Sequence, residues 1–131
     1  MSLSQISVRV LLVEDEILIL ELLKSALEDG GYEVLTAGSV EEAMPLLDGA
    51  GRDVGGLVTD VNLGGPQSGW DVAKRAREIN ARLPVVYISG DSSYEWSSRG
   101  VPNSALLTKP FVPAQQVVAL AALANKLDGS L

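Results

Sequence analysis

Glu14-Asp15, Asp60, Ser89 and Lys109 each stand directly after a short, mostly apolar run: Val10-Leu11-Leu12-Val13, Leu57-Val58-Thr59, Val85-Val86-Tyr87-Ile88 and Ala105-Leu106-Leu107-Thr108. Runs that short and that apolar read as strands buried on both faces of a parallel sheet. Parallel strands bring their carboxyl ends to one edge, so these groups converge in one crevice. Three carboxylates, a hydroxyl and an ammonium make a site for a divalent cation and a phosphoryl group. Carboxylates so close together cannot all stay ionised unless a positive charge joins them. A hard cation with oxygen ligands, Mg2+ most naturally, relieves that repulsion and keeps positions open for water and substrate oxygens. Beside a metal and the Lys109 ammonium, a carboxylate can attack phosphorus, because both cations neutralise the incoming phosphoryl oxygens. Ser89 offers its hydroxyl to the same oxygens.

The elements that must position these groups alternate strand and helix along the whole chain. After the first strand, Ile19, Leu22, Leu23, Ala26 and Leu27 form a helical stripe ended by Gly30-Gly31. Tyr32 to Ala37 reads as the second strand, and Ser39-Val40-Glu41-Glu42 as a capping box opening the second helix. Pro45 inside that helix is expected to kink or shorten it. Gly55-Gly56 leads into the strand ending at Asp60, and a Gly- and Pro-rich loop from Leu63 to Gly69 precedes a helix from about Trp70 to Asn80. Leu83-Pro84 opens the fourth strand. The segment from Asp91 to Arg99 is short and polar, with Ser92 and Glu95 as a capping pair, so its helix is marginal. The fifth strand ends at Lys109-Pro110-Phe111, and Pro113 starts a final helix closed by Asp128-Gly129. Five such units make a doubly wound parallel sheet of five strands.

The chain has 131 residues, 47% of them hydrophobic, which suits one domain with a real core. Nothing marks a linker, a low-complexity segment or a second domain. No apolar run approaches the ~18 residues of a membrane span, and no basic stretch precedes an apolar one as in a signal peptide. The absence of cysteine fits a reducing compartment, hence a cytoplasmic location. The absence of histidine excludes imidazole acid–base catalysis, a Ser-His-Asp triad and an imidazole zinc site within this chain. A net charge of −7 repels a phosphate backbone, which argues against direct nucleic-acid binding. Lys74, Arg75 and Arg77 read as a solvated helix face.

With its crevice assembled, the chain resembles the receiver domain of two-component response regulators, as a single domain over residues 1–131 with a core from about Val8 to Leu127. The resemblance implies a flavodoxin-like sheet in the order 2-1-3-4-5 with five helices. It implies that Asp60 is the phosphoacceptor, supplied by a phosphohistidine of a sensor histidine kinase or histidine phosphotransfer protein. Glu14 and Asp15 match the acidic pair that holds Mg2+, Asp15 directly and Glu14 through water; Asn62 matches the residue whose backbone carbonyl ligates the metal. Ser89 matches the hydroxyl that senses the phosphoryl group. Lys109-Pro110 matches the family's Lys-Pro pair, whose peptide bond is expected to be cis. Phosphorylation is then expected to shift the surface of the fourth helix, fifth strand and fifth helix, where a homodimer also has a place. The resemblance further implies that the first helix docks on the donor's helical bundle, with Ile17 and Leu20 off its core stripe as contact residues.

Three departures accompany the match. Leu106 stands where the family usually carries a switch Tyr or Phe, the loop from Asp60 to Gly69 is slightly long, and Pro45 is unusual. Two other readings follow from the residues. A pseudo-receiver would bind partners without being phosphorylated; such proteins typically lose an acid, the acceptor or the lysine, all present here. A phosphohydrolase resembling the haloacid dehalogenases would need a second Asp two residues after Asp60, where Asn62 cannot transfer protons. The last helix is apolar nearly all round from Val117 to Ala124, which suits either a partner surface or an Ala-rich helix set deep against the sheet. Tyr94 and Trp96, on the weak fourth helix, suit either contact residues or half-buried caps.

Overall fold

The computed structural model describes residues 7–90 and 93–127. Strands and helices alternate as β1 (Arg9–Val13), α1 (Ile17–Asp29), β2 (Glu33–Ala37), α2 (Val40–Ala50), β3 (Gly56–Asp60), α3 (Gly69–Ile79), β4 (Val85–Ser89), α4 (Trp96–Arg99), β5 (Ser104–Thr108) and α5 (Ala114–Leu127). The strands form one parallel sheet in the order β2-β1-β3-β4-β5, the doubly wound, flavodoxin-like arrangement expected. Every residue of β3 and β4 is buried, because helices cover both faces of the sheet. Alternate side chains point to opposite faces. Leu11, Val13, Leu57, Val85 and Tyr87 pack with α2 and α3. Val10, Leu12, Val58, Val86 and Ile88 pack with Leu23 and Leu27 of α1 and Leu120 and Leu123 of α5.

Register then decides what reaches the carboxyl edge. Val13 lies opposite Ala37 and Thr59, Asp60 opposite Ile88, and Ser89 opposite Thr108. The ladder continues one step into the site. The Glu14 N–H donates to the Ala37 carbonyl at 3.0 Å, and the Lys109 N–H to the Ser89 carbonyl at 2.8 Å.

Several local expectations need correction. Leu22 is 55% exposed, whereas Leu20 is half-buried against the second core. The reason is helical phase: Leu20, Leu23 and Leu27 fall at i, i+3 and i+7, so Leu20 faces the sheet and Leu22 does not. Helix α2 is not cut short at exposed Pro45 and continues five residues beyond it. The proline removes one helical N–H, but Ala43 and Leu47 on either side stay anchored in the core. Ser39 caps α2 by accepting from the Glu42 N–H at 3.1 Å, while the Glu42 carboxylate accepts from Gly38 N–H and not from Ser39. In α5, Gln116, Leu120 and Leu123 are buried at i, i+4 and i+7, and the outer face carries exposed Val118, Ala121 and Ala122. Only one stripe is buried, so the apolar sequence of α5 extends onto its outer face.

Helix α4 is a single turn after a turn of 3-10 helix, Ser93–Glu95. Trp96 is half-buried and Tyr94 is 79% exposed. Asp91, Ser92 and the closing Asp128-Gly129 lie outside the described residues. Arg77 does not belong to a solvated face. Its guanidinium donates to the carbonyls of Leu83 (2.7 Å), Pro102 (2.6 Å) and Asn103 (3.0 Å), binding the turn before β5 to the end of α3. Asn103 takes the left-handed conformation, φ 57°. Lys74 is exposed, and Arg75 pairs with Asp48 and Glu78. Among the described residues no helix is long and apolar enough to cross a membrane.

Candidate functional site

The strand ends bring Glu14, Asp15 and Asp60 together, with one ligand oxygen from each inside a common span of 4.8 Å. Asp60 closes β3 and is 3% exposed. One of its oxygens, Oδ2, accepts from the Lys109 ammonium at 3.0 Å. The other, Oδ1, accepts from the Asn62 backbone N–H at 3.1 Å, a turn that holds the start of the following loop against the acid. Asp15, Glu16, Asp60, Asn62, Gly90 and Lys109 line one cleft of about 510 Å3. Asp15 and Asn62 are exposed in it, and Lys109 is partly so. The Lys109-Pro110 peptide is cis, as expected. Ser89 is buried at the end of β4 and does not line the cleft, though its neighbour Gly90 does. Leu106 is half-buried against the core of α2 and α3, opposite Tyr87 in strand register.

Glu14 is 1% exposed. Its Oε2 accepts from the Glu16 N–H at 3.1 Å, and its Oε1 is buried without a hydrogen-bond partner. Burial, with the charge of Asp60 and a hydrogen bond shared with it, outweighs the Glu16 N–H and Lys109 and pushes the carboxyl up to about 7. For Lys109, burial works downward, but the hydrogen bond and charge of Asp60, with Glu14 and Glu16, leave its pKa raised. An oxygen-only donor set, one buried oxygen without a partner and a surplus of negative charge together fit a hard divalent cation.

The raised Glu14 pKa has a stability consequence. The folded state holds this proton more tightly than the unfolded chain, so the associated stability is full below about pH 4.5 and is lost as pH rises through about 7. The expected loss for metal-free protein is on the order of 3 kcal/mol. Thermal melts in chelator at acid and alkaline pH check this: the pH slope should shrink in Glu14→Gln, and equal slopes would contradict it.

Three contributors escaped the sequence reading. Glu16 lines the cleft and supplies the N–H that holds Glu14. Ser68 and Asp71 form a complete capping box at α3, a pattern visible as Ser-x-x-Asp. Gly69 is the third: a Cβ there would run into the Asp60 carbonyl, so the start of α3 passes directly over the acceptor strand. A slightly larger cleft, about 560 Å3, lies between the ends of α2 and α3. Its Asp48 and Glu78 are paired with Arg75, and the converging acids lie elsewhere.

Comparison with known proteins agrees with this geometry. The profile of the response regulator receiver domain matches residues 10–121. A response regulator receiver protein from Sinorhizobium medicae WSM419 is similar, with 41% identity, a TM-score of 0.88, and coverage of 96% of this chain and 99% of that one. The response regulator protein TrrA from Thermotoga maritima, solved in complex with Mg2+ and BeF, is 26% identical with a TM-score of 0.75, covering 88% and 98% of the two chains. The transcriptional regulatory protein TrcR of Mycobacterium tuberculosis is 33% identical over 91% of this chain and 46% of its own length. The chain thus spans about half the length of the curated relatives it matches. Profile, fold and acidic crevice agree, and the chain belongs to the response regulator receiver domain family of two-component systems.

Proposed function

We infer that Asp60 accepts a phosphoryl group from a phosphohistidine of a sensor histidine kinase or histidine phosphotransfer protein. The observation that carries this is the Asp60 carboxylate itself. It is buried at a strand end, held by an N–H on one oxygen and an ammonium on the other, beside two further acids. One carboxylate oxygen forms the new bond to phosphorus as the bond from phosphorus to the donor imidazole breaks, and the imidazole leaves with the electron pair. Asp15, Asp60 and the Asn62 carbonyl would hold Mg2+, with Glu14 reaching it through water. When bound, the ion offsets the negative charge of the acids and of the phosphoryl oxygens. Lys109 reaches the same oxygens, and the Ser89 hydroxyl donates to them. The charge added at Asp60 draws Lys109 and Ser89 toward it, and that movement biases the surface of α4, β5 and α5. The domain works as a switch and turns over no external substrate.

The donor side is supported by exposed apolar residues at the start of α1. Ile17, Leu18 and Leu22 are 77%, 84% and 55% exposed. Of these, Leu22 lines a groove of about 280 Å3 with Ile19, Phe111 and Pro113, and the groove reaches Lys109. An amphipathic helical bundle seated there delivers its phosphohistidine at the mouth of the acidic cleft. Exposed Val118 and the alanines of α5 support a homodimer through the α4–β5–α5 face. The net charge of −7 argues against direct nucleic-acid binding by this domain, and the cysteine-free composition favours the cytoplasm.

Amide NMR with beryllofluoride tests the reading. Asn62 and Gly90 should shift when Mg2+ is present and stay fixed when it is absent. Asp15→Ala should weaken Mg2+ binding by more than the roughly tenfold that losing an outer-shell partner of a metal ligand costs. Unchanged Mg2+ titration curves in that variant would refute the metal assignment.

A further inference from the structure

We propose that Tyr87 is the positioning residue that connects the Ser89 strand to the surface of α4 and β5, a task that residue 106 cannot perform as leucine. The proposal rests on the phosphoacceptor reading above. Tyr87 stands two residues before Ser89 on β4, so the two side chains point to the same face of the sheet. Across the sheet it is in register with Leu106, which offers no polar atom. Its ring is completely buried and packs on Trp70, with centroids 4.6 Å apart and planes inclined by 54°.

The phenol opens a line of hydrogen bonds leading outward. The Val101 N–H donates to the Tyr87 hydroxyl oxygen at 3.0 Å. The Val101 carbonyl accepts from the Ser104 hydroxyl at 2.7 Å. The Ser104 oxygen in turn accepts from the Trp96 indole N–H at 2.9 Å. Four residues thus join the middle of β4 to a half-buried indole on a one-turn helix. Trp96, Val101 and Ser104 all line one surface cleft that Lys126 of α5 also reaches. A buried hydroxyl oxygen has no water to exchange for its partner, so a displacement of β4 must either carry the Val101 peptide along or break its bond.

In the proposed relay, β4 shifts as Ser89 is drawn toward a phosphoryl group on Asp60, and Tyr87 is carried on the same strand. The movement reaches Val101 through the phenol, Ser104 through the Val101 carbonyl, and Trp96 through the Ser104 hydroxyl. Arg77 holds the neighbouring carbonyls of Pro102 and Asn103 from α3. That part of the turn stays fixed while the Val101 peptide responds.

The test follows three signals in 15N-labelled protein on adding Mg2+ and beryllofluoride: the Gly90 amide, the Val101 amide, and the Trp96 indole N–H, identified by its loss in Trp96→Phe. Wild type should shift at all three. Tyr87→Phe keeps the ring against Trp70 and removes the acceptor oxygen; its Gly90 shift should persist while the Val101 and Trp96 shifts fall by roughly half or more. Ser104→Ala, at a partly exposed site, should keep the Val101 shift and lose that of Trp96. A Trp96 shift in Tyr87→Phe equal to wild type would overturn the relay. Should Tyr87→Phe fold poorly, an undiminished Trp96 shift in Ser104→Ala overturns it instead. Wild type shifting at Gly90 alone overturns the relay and leaves the phosphoacceptor reading standing. No shift at any of the three overturns both.

Discussion

Asp60→Asn is expected to take up no phosphate above background, from a phosphohistidine donor or a small acyl phosphate, while folding as well as the wild type. The amide cannot displace imidazole from phosphorus, so the loss should be at least about a hundredfold. The fold has good reason to survive. Asparagine is nearly the same shape as aspartate, and its carbonyl can still accept from the Asn62 N–H or the Lys109 ammonium, which Asp60 now holds at 3.1 and 3.0 Å. The substitution also takes one negative charge away from Glu14, whose raised pKa owes part of its shift to Asp60. Stability in metal-free buffer should therefore stay within about 1 kcal/mol of wild type or rise slightly. Intact-mass measurement of the phosphorylated protein, beside a denaturation curve, separates the two effects. Phosphate uptake equal to wild type would remove Asp60 from the acceptor role.

Gly69→Ala should damage the fold and the site together. A Cβ at this position falls on the Asp60 carbonyl oxygen, 2.9 Å from its carbonyl carbon and 3.0 Å from the Thr59 hydroxyl oxygen. Those neighbours are backbone and a buried strand residue, and neither can swing aside as a flexible side-chain tip does. The Gly69 N–H also donates to the Val61 carbonyl at 2.9 Å, and the Asp60 carbonyl accepts from the Thr59 hydroxyl at 2.9 Å. The first turn of α3 must then lift off the end of β3. Alanine's better helix propensity returns at most about 1 kcal/mol, against overpacking that costs about 1–3 kcal/mol. The displaced carbonyl belongs to the acceptor residue, so the beryllofluoride response should weaken as well. Chemical denaturation and NMR on the same sample check both halves, and wild-type stability would show that the helix start has room to move.

The positions of the chemistry were legible because strand, apolar run and strand-end residue coincide. Glu14, Asp15, Asp60 and Lys109 lie where three short apolar runs stop, and parallel pairing carries them to one edge. The phase of α1 was harder to read. Leucine or isoleucine occupies most of its first seven positions, so several stripes fit its sequence, and only packing against the sheet selects Leu20 over Leu22. The tasks of Tyr87 and Arg77 were hidden for another reason. Their partners are backbone groups of Val101, Pro102 and Asn103, and a peptide N–H or carbonyl leaves no mark on residue type. The elevated proton affinity of Glu14 likewise depends on depth, which strand-end spacing does not encode. By contrast, the Ser68–Asp71 cap and the constraint on Gly69 beside it sit in a short pattern that a closer reading recovers.

The three carbonyls gathered by Arg77 bear on how this fold can vary in length. Surface turns usually absorb an extra residue at little cost, since lengthening a loop adds only slowly to the entropy of closing it. Here a rigid planar fork meets Leu83, Pro102 and Asn103 at 2.7, 2.6 and 3.0 Å, so one residue inserted between Gly100 and Ser104 would carry at least one carbonyl out of reach. Insertions are far easier to accommodate around exposed Gly64 to Gln67, where the backbone turns through two glycines with φ near +70°.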